Sequence, residues 1–123
     1  MTTADEPGVR AALQLYLDGA RAGDVDTVRR AFHPQARMSG YLQGQMLVGG
    51  PEPFYEAVTH APPPAKTGEP YRAEITQLAV ADRVASATLV ENSYLGMNFT
   101  TFFHLLKVDG GWQIVSKTFM HHQ

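Results

Sequence analysis

No cysteine occurs in the chain's 123 residues, which excludes a disulfide scaffold, thiolate zinc sites and cysteine nucleophiles, and fits a reducing compartment. A basic cluster is missing too: 10 Lys and Arg stand against 12 Asp and Glu, for a net charge of -2. The electrostatic footprint of a nucleic-acid or anionic-membrane binder is therefore absent. No apolar run approaches the length that spans a bilayer, and the polar, acidic opening Met1-Thr2-Thr3-Ala4-Asp5-Glu6-Pro7 has no apolar stretch behind it. The cytoplasm is the expected location. There is no serine-histidine-acid arrangement, phosphate-cradling glycine loop or dinucleotide fingerprint. His121 and His122 are adjacent and so point to opposite sides of a strand, while His33 and His60 sit in loops without a carboxylate at ligand spacing. Neither a metal site nor a cofactor is expected. What the chain does have is 44% apolar content, enough for one ordinary core, so 1–123 reads as one domain.

The last twenty-five residues organise the rest. Two runs rich in β-branched and aromatic residues flank Asp109-Gly110-Gly111, whose glycines supply the positive φ of a tight hairpin turn. The arms are apolar on both faces, with Phe102, His104 and Leu106 on one side and Phe103, Leu105 and Lys107 on the other, so each face needs a cover. Upstream, apolar residues recur at helical spacing from about Pro7 to Ala22, with Leu13, Tyr16, Leu17 and Ala20 as the inward stripe. Gly23 closes that helix and Asp24 caps a second, Val25 to Ala31. The proline in Phe32-His33-Pro34 breaks the pattern, and Arg37 to Leu42 reads as a first strand. Gly44 to Gly49 is a turn with a small strand, and Pro51-Glu52 opens a third helix to about His60. Ala61 to Gly68, with three successive prolines, is expected to be a non-helical loop of polyproline character. Tyr71 to Val80 and Val84 to Tyr94 alternate as strands, giving an α+β order of helices followed by a long antiparallel meander.

Gly23-Asp24 after the first helix, Phe32-His33-Pro34 before the first strand, and Phe102-Phe103-His104-Leu105-Leu106-Lys107 followed by Gly111-Trp112-Gln113-Ile114-Val115-Ser116-Lys117-Thr118-Phe119 together resemble the nuclear transport factor 2-like superfamily. Within it the pattern is most similar to the putative lumazine-binding and SnoaL-like groups. The resemblance implies a cone-shaped domain, three N-terminal helices packed on a curved antiparallel sheet, with a pocket between helices and concave face. It also implies a homodimer through the convex face. It does not fix a chemistry, because the superfamily hosts isomerases, dehydratases, cyclases and plain binders.

Ketosteroid isomerases of this superfamily use a helix-one tyrosine, a carboxylic acid on a late strand and an aspartate base after the first strand. The resemblance carries the tyrosine onto Tyr16 and the acid onto His104, which could donate from its imidazole. The base falls on Gly40, which has no side chain, so that mechanism is ruled out. The overlay also turns Lys117 toward the pocket, either as a functional cation or paired with Glu91 or Glu74; alternatively its stem packs on the sheet and its ammonium reaches solvent. Members of the lumazine-binding group carry an acidic residue where this chain has Thr101. Tyr16 and His104 also read as interior groups with satisfied hydrogen bonds.

Thr88, Val90, Asn92 and Tyr94 alternate onto one strand face, as the wall of a wetted cavity or as a solvent-exposed face, with Asn92 and Tyr94 the hydrogen-bonding members. Phe32, Phe54, Tyr94, Phe102 and Phe119 are the candidate apolar walls. Two functions follow: acid-base catalysis on a small, apolar, oxygenated molecule, with Tyr16 and His104 polarising an oxygen and Lys117 or water as base, or non-catalytic binding of an aromatic ligand. A third is a dimeric scaffold using the convex sheet, where Phe103, Leu105, Val108 and Gln113 form the face expected to meet a second copy.

Overall fold

A computed structural model describes residues 5–123. Helix α1 (Glu6–Ala22) starts where the Asp5 carboxylate accepts from the Gly8 N–H at 3.1 Å, and ends at Gly23, whose φ of 72° turns its N–H back onto the Gly19 carbonyl. Asp24 then caps α2 (Val25–Ala31) by accepting from both the N–H and the hydroxyl of Thr27. The chain continues through β1 (Phe32–Leu42), β2 (Gln45–Gly49), α3 (Glu52–His60), α4 (Pro64–Thr67), β3 (Arg72–Ala81), β4 (Val84–Tyr94), β5 (Met97–Val108) and β6 (Gly111–His122). Among the described residues no helix is long and apolar enough to cross a membrane.

Six strands form one sheet in the order β2-β1-β6-β5-β4-β3. Neighbours are antiparallel except β1 and β6, which are parallel. That parallel pair is the departure from a pure meander: the last strand inserts beside the first, a long-range pairing that no turn signal announces. Three local expectations also change. Strand β1 begins at Phe32 rather than Arg37; Phe32 pairs with Ile114 and Arg37 with Ser116, so the segment around Pro34, which has no N–H to donate, bulges between them. The proline-rich stretch holds one helical turn, because Pro64 stands at the start where no N–H is needed and Gly68 closes it with φ 75°. In the terminal hairpin the positive φ angles belong to Asp109 (49°) and Gly110 (83°), and Gly111 is already strand.

The helices cover one face of the sheet. That inner face carries Ala85, Ala87 and Leu89 on β4, Phe103 and Leu105 on β5, and Trp112 and Ile114 on β6, packed with Val9, Leu13 and Tyr16 of α1 and Val28 of α2. Each fully buried Leu or Ile here contributes roughly 1.5–3 kcal/mol by leaving water. Two bulges then re-aim the lower ends of the strands. The pairing runs Leu105 with Ile114 and His104 with Ser116, leaving Val115 as the extra residue, so Ile114 and Lys117 share the inner face although three positions apart. Around Asn92 and Ser93 (φ 59°), Glu91 and Tyr94 do the same on β4.

Candidate functional site

Beyond the packed end of the core, the inner face and the helices separate to leave a cavity of about 260 Å³. Tyr16 of α1 and Phe54 of α3 roof it; Tyr94, Phe99 and Phe119 line its walls, and Leu47, Val48 and Leu95 stand at its rim. The Tyr16 and Phe54 rings stack at 5.7 Å with 19° between planes, and Phe99 meets Phe119 edge-on at 6.2 Å. Against this apolar lining stand three buried polar side chains, Glu91, Thr101 and Lys117, one on each of the neighbouring strands β4, β5 and β6.

Lys117 is 6% exposed, and its Nζ lies 3.5 Å from the centre of the Phe54 ring and 5.0 Å from that of Tyr16. Those ring faces attract the cation but replace little of its lost hydration. Burial therefore pushes its pKa down from 10.5 to about 8, with the Glu91 charge pulling the other way. Glu91 is 2% exposed; burial holds its carboxyl above the ordinary range, opposed by the Lys117 charge and by the Tyr71 hydroxyl, which donates to Oε2 at 2.5 Å. Tyr71 is itself held neutral by burial and by Glu91, so it stays a donor and orients the carboxylate. Among the described residues no carboxylate lies within 4.0 Å of Lys117 Nζ. The two charges thus face one cavity without neutralising each other by contact.

Thr101 completes the arrangement. It is 1% exposed, and its Oγ1 has no hydrogen-bond partner among the described residues. An orphaned buried hydroxyl costs about 1–3 kcal/mol, and a polar ligand atom in the cavity would relieve it. Tyr16, raised well above the ordinary phenol range by burial, remains protonated and able to donate. A ketone or aldehyde oxygen in this cavity would meet donors on an otherwise apolar surface, with a basic carboxylate close by. Gly40 explains why no base sits on β1: a Cβ there would come within 2.1 Å of the Phe119 carbonyl oxygen, so the close pairing of β1 with β6 excludes any side chain.

The structure brings Tyr16, Phe54, Tyr94, Lys117 and Phe119 to the cavity and places the other candidates elsewhere. His104 is exposed on the outer face, because Phe103 and Leu105 beside it are fully buried under α1 and alternation sends their neighbour outward. Phe102 is outward for the same reason and is 55% exposed. The two hairpin faces are thus the reverse of the expectation: Phe103 and Leu105 are core, and the outer surface belongs to Phe102, His104 and Leu106. Asn92 is exposed because alternation from buried Leu89 and Glu91 sends it outward, and the bulge at Ser93 returns Tyr94 without it to the inner face. Phe32 is buried in the core beside Tyr16 and Phe54, behind the cavity wall rather than on it.

Glu91 and Thr101 are the residues that the sequence reading left without a role of their own. A signal for Glu91 was present: Ala85, Ala87 and Leu89 are an apolar alternating set, and Glu91 is its one charged continuation.

A family model described as putative lumazine-binding matches residues 4–120. Aldolase FrzH from Cladobotryum sp. is 27% identical over 120 residues, which cover 97% of this chain and 93% of that protein. A nuclear transport factor 2-like protein of unknown function from Shewanella baltica OS155 superposes with a TM-score of 0.88 at 28% identity, covering 100% of this chain and 99% of that one. A ketosteroid isomerase-like protein from Erwinia carotovora atroseptica, with a TM-score of 0.70 at 16% identity over 97% and 98% of the two chains, shares the fold.

Proposed function

The chain belongs to the putative lumazine-binding family, of nuclear transport factor 2-like fold, and from that premise we propose that it binds a small, largely apolar carbonyl compound in the cavity and transfers protons at the carbon beside the carbonyl. The observation that carries this reading is the set Glu91, Thr101 and Lys117, buried together on the wall of an aromatic cavity. The carbonyl oxygen would take hydrogen bonds from the Lys117 ammonium and the Thr101 hydroxyl, which satisfies that hydroxyl and stabilises a developing enolate. Glu91 is the base. Its carboxylate is made more basic by burial and is oriented by Tyr71, as a proton acceptor working near neutral pH requires. The relative named an aldolase lends support, since aldol chemistry begins with proton removal beside a carbonyl.

Exchange in deuterium oxide tests this reading. Acetophenone incubated with the protein should gain deuterium at its methyl group faster than in buffer, and Glu91→Gln should abolish the gain. Binding of acetophenone without any exchange would leave a non-catalytic binder, the reading favoured by the aromatic lining; neither binding nor exchange would remove the carbonyl reading.

A homodimer through the outer sheet face is the second part of the proposal. That face exposes Tyr41 (46%), Met46 (64%), Phe102 (55%) and Met120 (46%) around a shallow groove, an apolar surface of the kind that subunit contacts cover. Sedimentation at micromolar concentration should show a dimer that Phe102→Glu converts to monomer; a monomeric parent would refute it.

A further inference from the structure

We infer that the Lys117 amine condenses with the aldehyde or ketone held in the cavity to form an imine. This inference rests on the carbonyl-binding reading above and deepens it, from an ammonium that holds the oxygen to an amine that attacks the carbon. Three features of the position point to a nucleophile. First, Lys117 is buried on the cavity wall, with aromatic faces at 3.5 and 5.0 Å and, among the described residues, no carboxylate within 4.0 Å of Nζ. A lysine kept only for its charge would gain by direct pairing, whereas one that must lose its proton is hindered by it. Second, the register of β6 is broken by the extra residue Val115, without which alternation from Ile114 would bring Ser116 rather than Lys117 to the inner face. Third, a carboxyl group lines the same wall: Glu91, buried there and raised above the ordinary carboxyl range by that burial, holds a proton more readily than a solvated carboxyl would.

The chemistry closes on these groups. The neutral amine adds its lone pair to the carbonyl carbon, and after proton transfer from nitrogen to oxygen the product is a carbinolamine. The carbon–oxygen bond then breaks, the departing oxygen takes a proton from the Glu91 carboxyl and leaves as water, and the nitrogen is left as a protonated imine beside the Glu91 carboxylate. No oxidant or further reactant is needed. The protonated imine withdraws electrons from the neighbouring carbon more strongly than the carbonyl did, and the carboxylate that gave its proton can then take one from that carbon. The supply of free amine is also favourable: with Lys117 at about 8, half is unprotonated at pH 8, against well under 1% of an ordinary solvated lysine at about 10.4.

Reductive trapping tests the inference, and the chain suits it because it has three lysines, Lys66, Lys107 and Lys117. Benzaldehyde and sodium cyanoborohydride are added to the full chain at pH 7 to 9, and benzylation is mapped by peptide mass spectrometry. The expected result is one benzyl group on Lys117, formed at least about ten times faster than on exposed Lys66, with the ratio largest at the low end of that pH range and shrinking as the pH approaches the ordinary lysine value. Because the competing lysines lie in the same molecule, the comparison needs no variant that might fail to fold. In parallel, thermal shift with acetophenone reports occupancy of the cavity. Benzylation of Lys66 or Lys107 with Lys117 unmodified, while acetophenone still raises the melting temperature, would overturn the imine and leave the carbonyl-binding reading standing. The same labelling pattern with no thermal shift would overturn both.

Discussion

Replacing Lys117 with methionine keeps the length and apolar stem of the side chain and removes the ammonium. In the folded protein the pKa of Lys117 falls from 10.5 to about 8, so folding with the group charged costs on the order of 3 kcal/mol at roughly 1.4 kcal/mol per pH unit. The attraction of the Phe54 face for the cation, centred 3.5 Å away, belongs to the charged state and is also lost with it, so a net gain of about 1–3 kcal/mol is expected at pH 7. The pH dependence gives the sharper test. Because the folded pKa lies below the unfolded one, the unfolded chain holds more protons between about 8 and 10.5, so this group makes stability rise with pH across that window. Below pH 8 both states are charged and the cost is constant. Urea unfolding of the parent and Lys117→Met at pH 7, 8, 9 and 10 should therefore show the variant ahead at pH 7 and the gap closing toward pH 10. A variant less stable than the parent at every pH, by a constant amount, would refute the reasoning, since it would mean that the ammonium is held by net favourable contacts.

Thr101→Val replaces the orphaned hydroxyl with a methyl of similar shape; it should stabilise the fold by about 1 kcal/mol in urea unfolding while weakening acetophenone binding. Gly40→Ala should cost at least about 2 kcal/mol, because its Cβ would meet the Phe119 carbonyl oxygen at 2.1 Å and the two strands would have to part. At the terminal turn, Gly110→Val should lower stability by about 1–2 kcal/mol because φ is 83°, whereas Gly111→Val should stay within about 0.5 kcal/mol; equal losses would mean that the turn is built differently.

Where local chemistry decides, the sequence could be read closely. Asp24 and Gly23 mark a helix boundary because one supplies an acceptor for free N–H groups and the other a left-handed residue, and the structure uses both in those roles. The strands of the meander were visible through alternation, and the burial of Tyr16 under the sheet followed from its place on the apolar stripe of α1. What alternation cannot reveal is where it slips. The extra residues near Ser93 and at Val115 each shift the phase by one position, which turned Tyr94 and Lys117 onto the inner wall, while Asn92 keeps the outward side that unbroken alternation from Leu89 and Glu91 gives it. His104 departs from expectation for a different reason: the overlay on the isomerases carries a pocket acid onto it, whereas in the folded sheet its neighbours Phe103 and Leu105 take the buried face and alternation turns it outward. The partnership of Glu91, Thr101 and Lys117 depends on strands β4, β5 and β6 lying side by side, and only the assembled sheet brings them to one wall.

The central claim is that the cavity recognises a carbonyl through Lys117 and Thr101, and a paired titration tests it most directly. Acetophenone and ethylbenzene have nearly the same shape and differ by one oxygen, so their dissociation constants isolate what that oxygen gains in the cavity. The account predicts that acetophenone binds the parent at least about tenfold more tightly, the usual worth of a charge-assisted hydrogen bond plus a satisfied hydroxyl, and that Lys117→Met with Thr101→Val erases the difference. Equal affinity of the parent for the two compounds would contradict it.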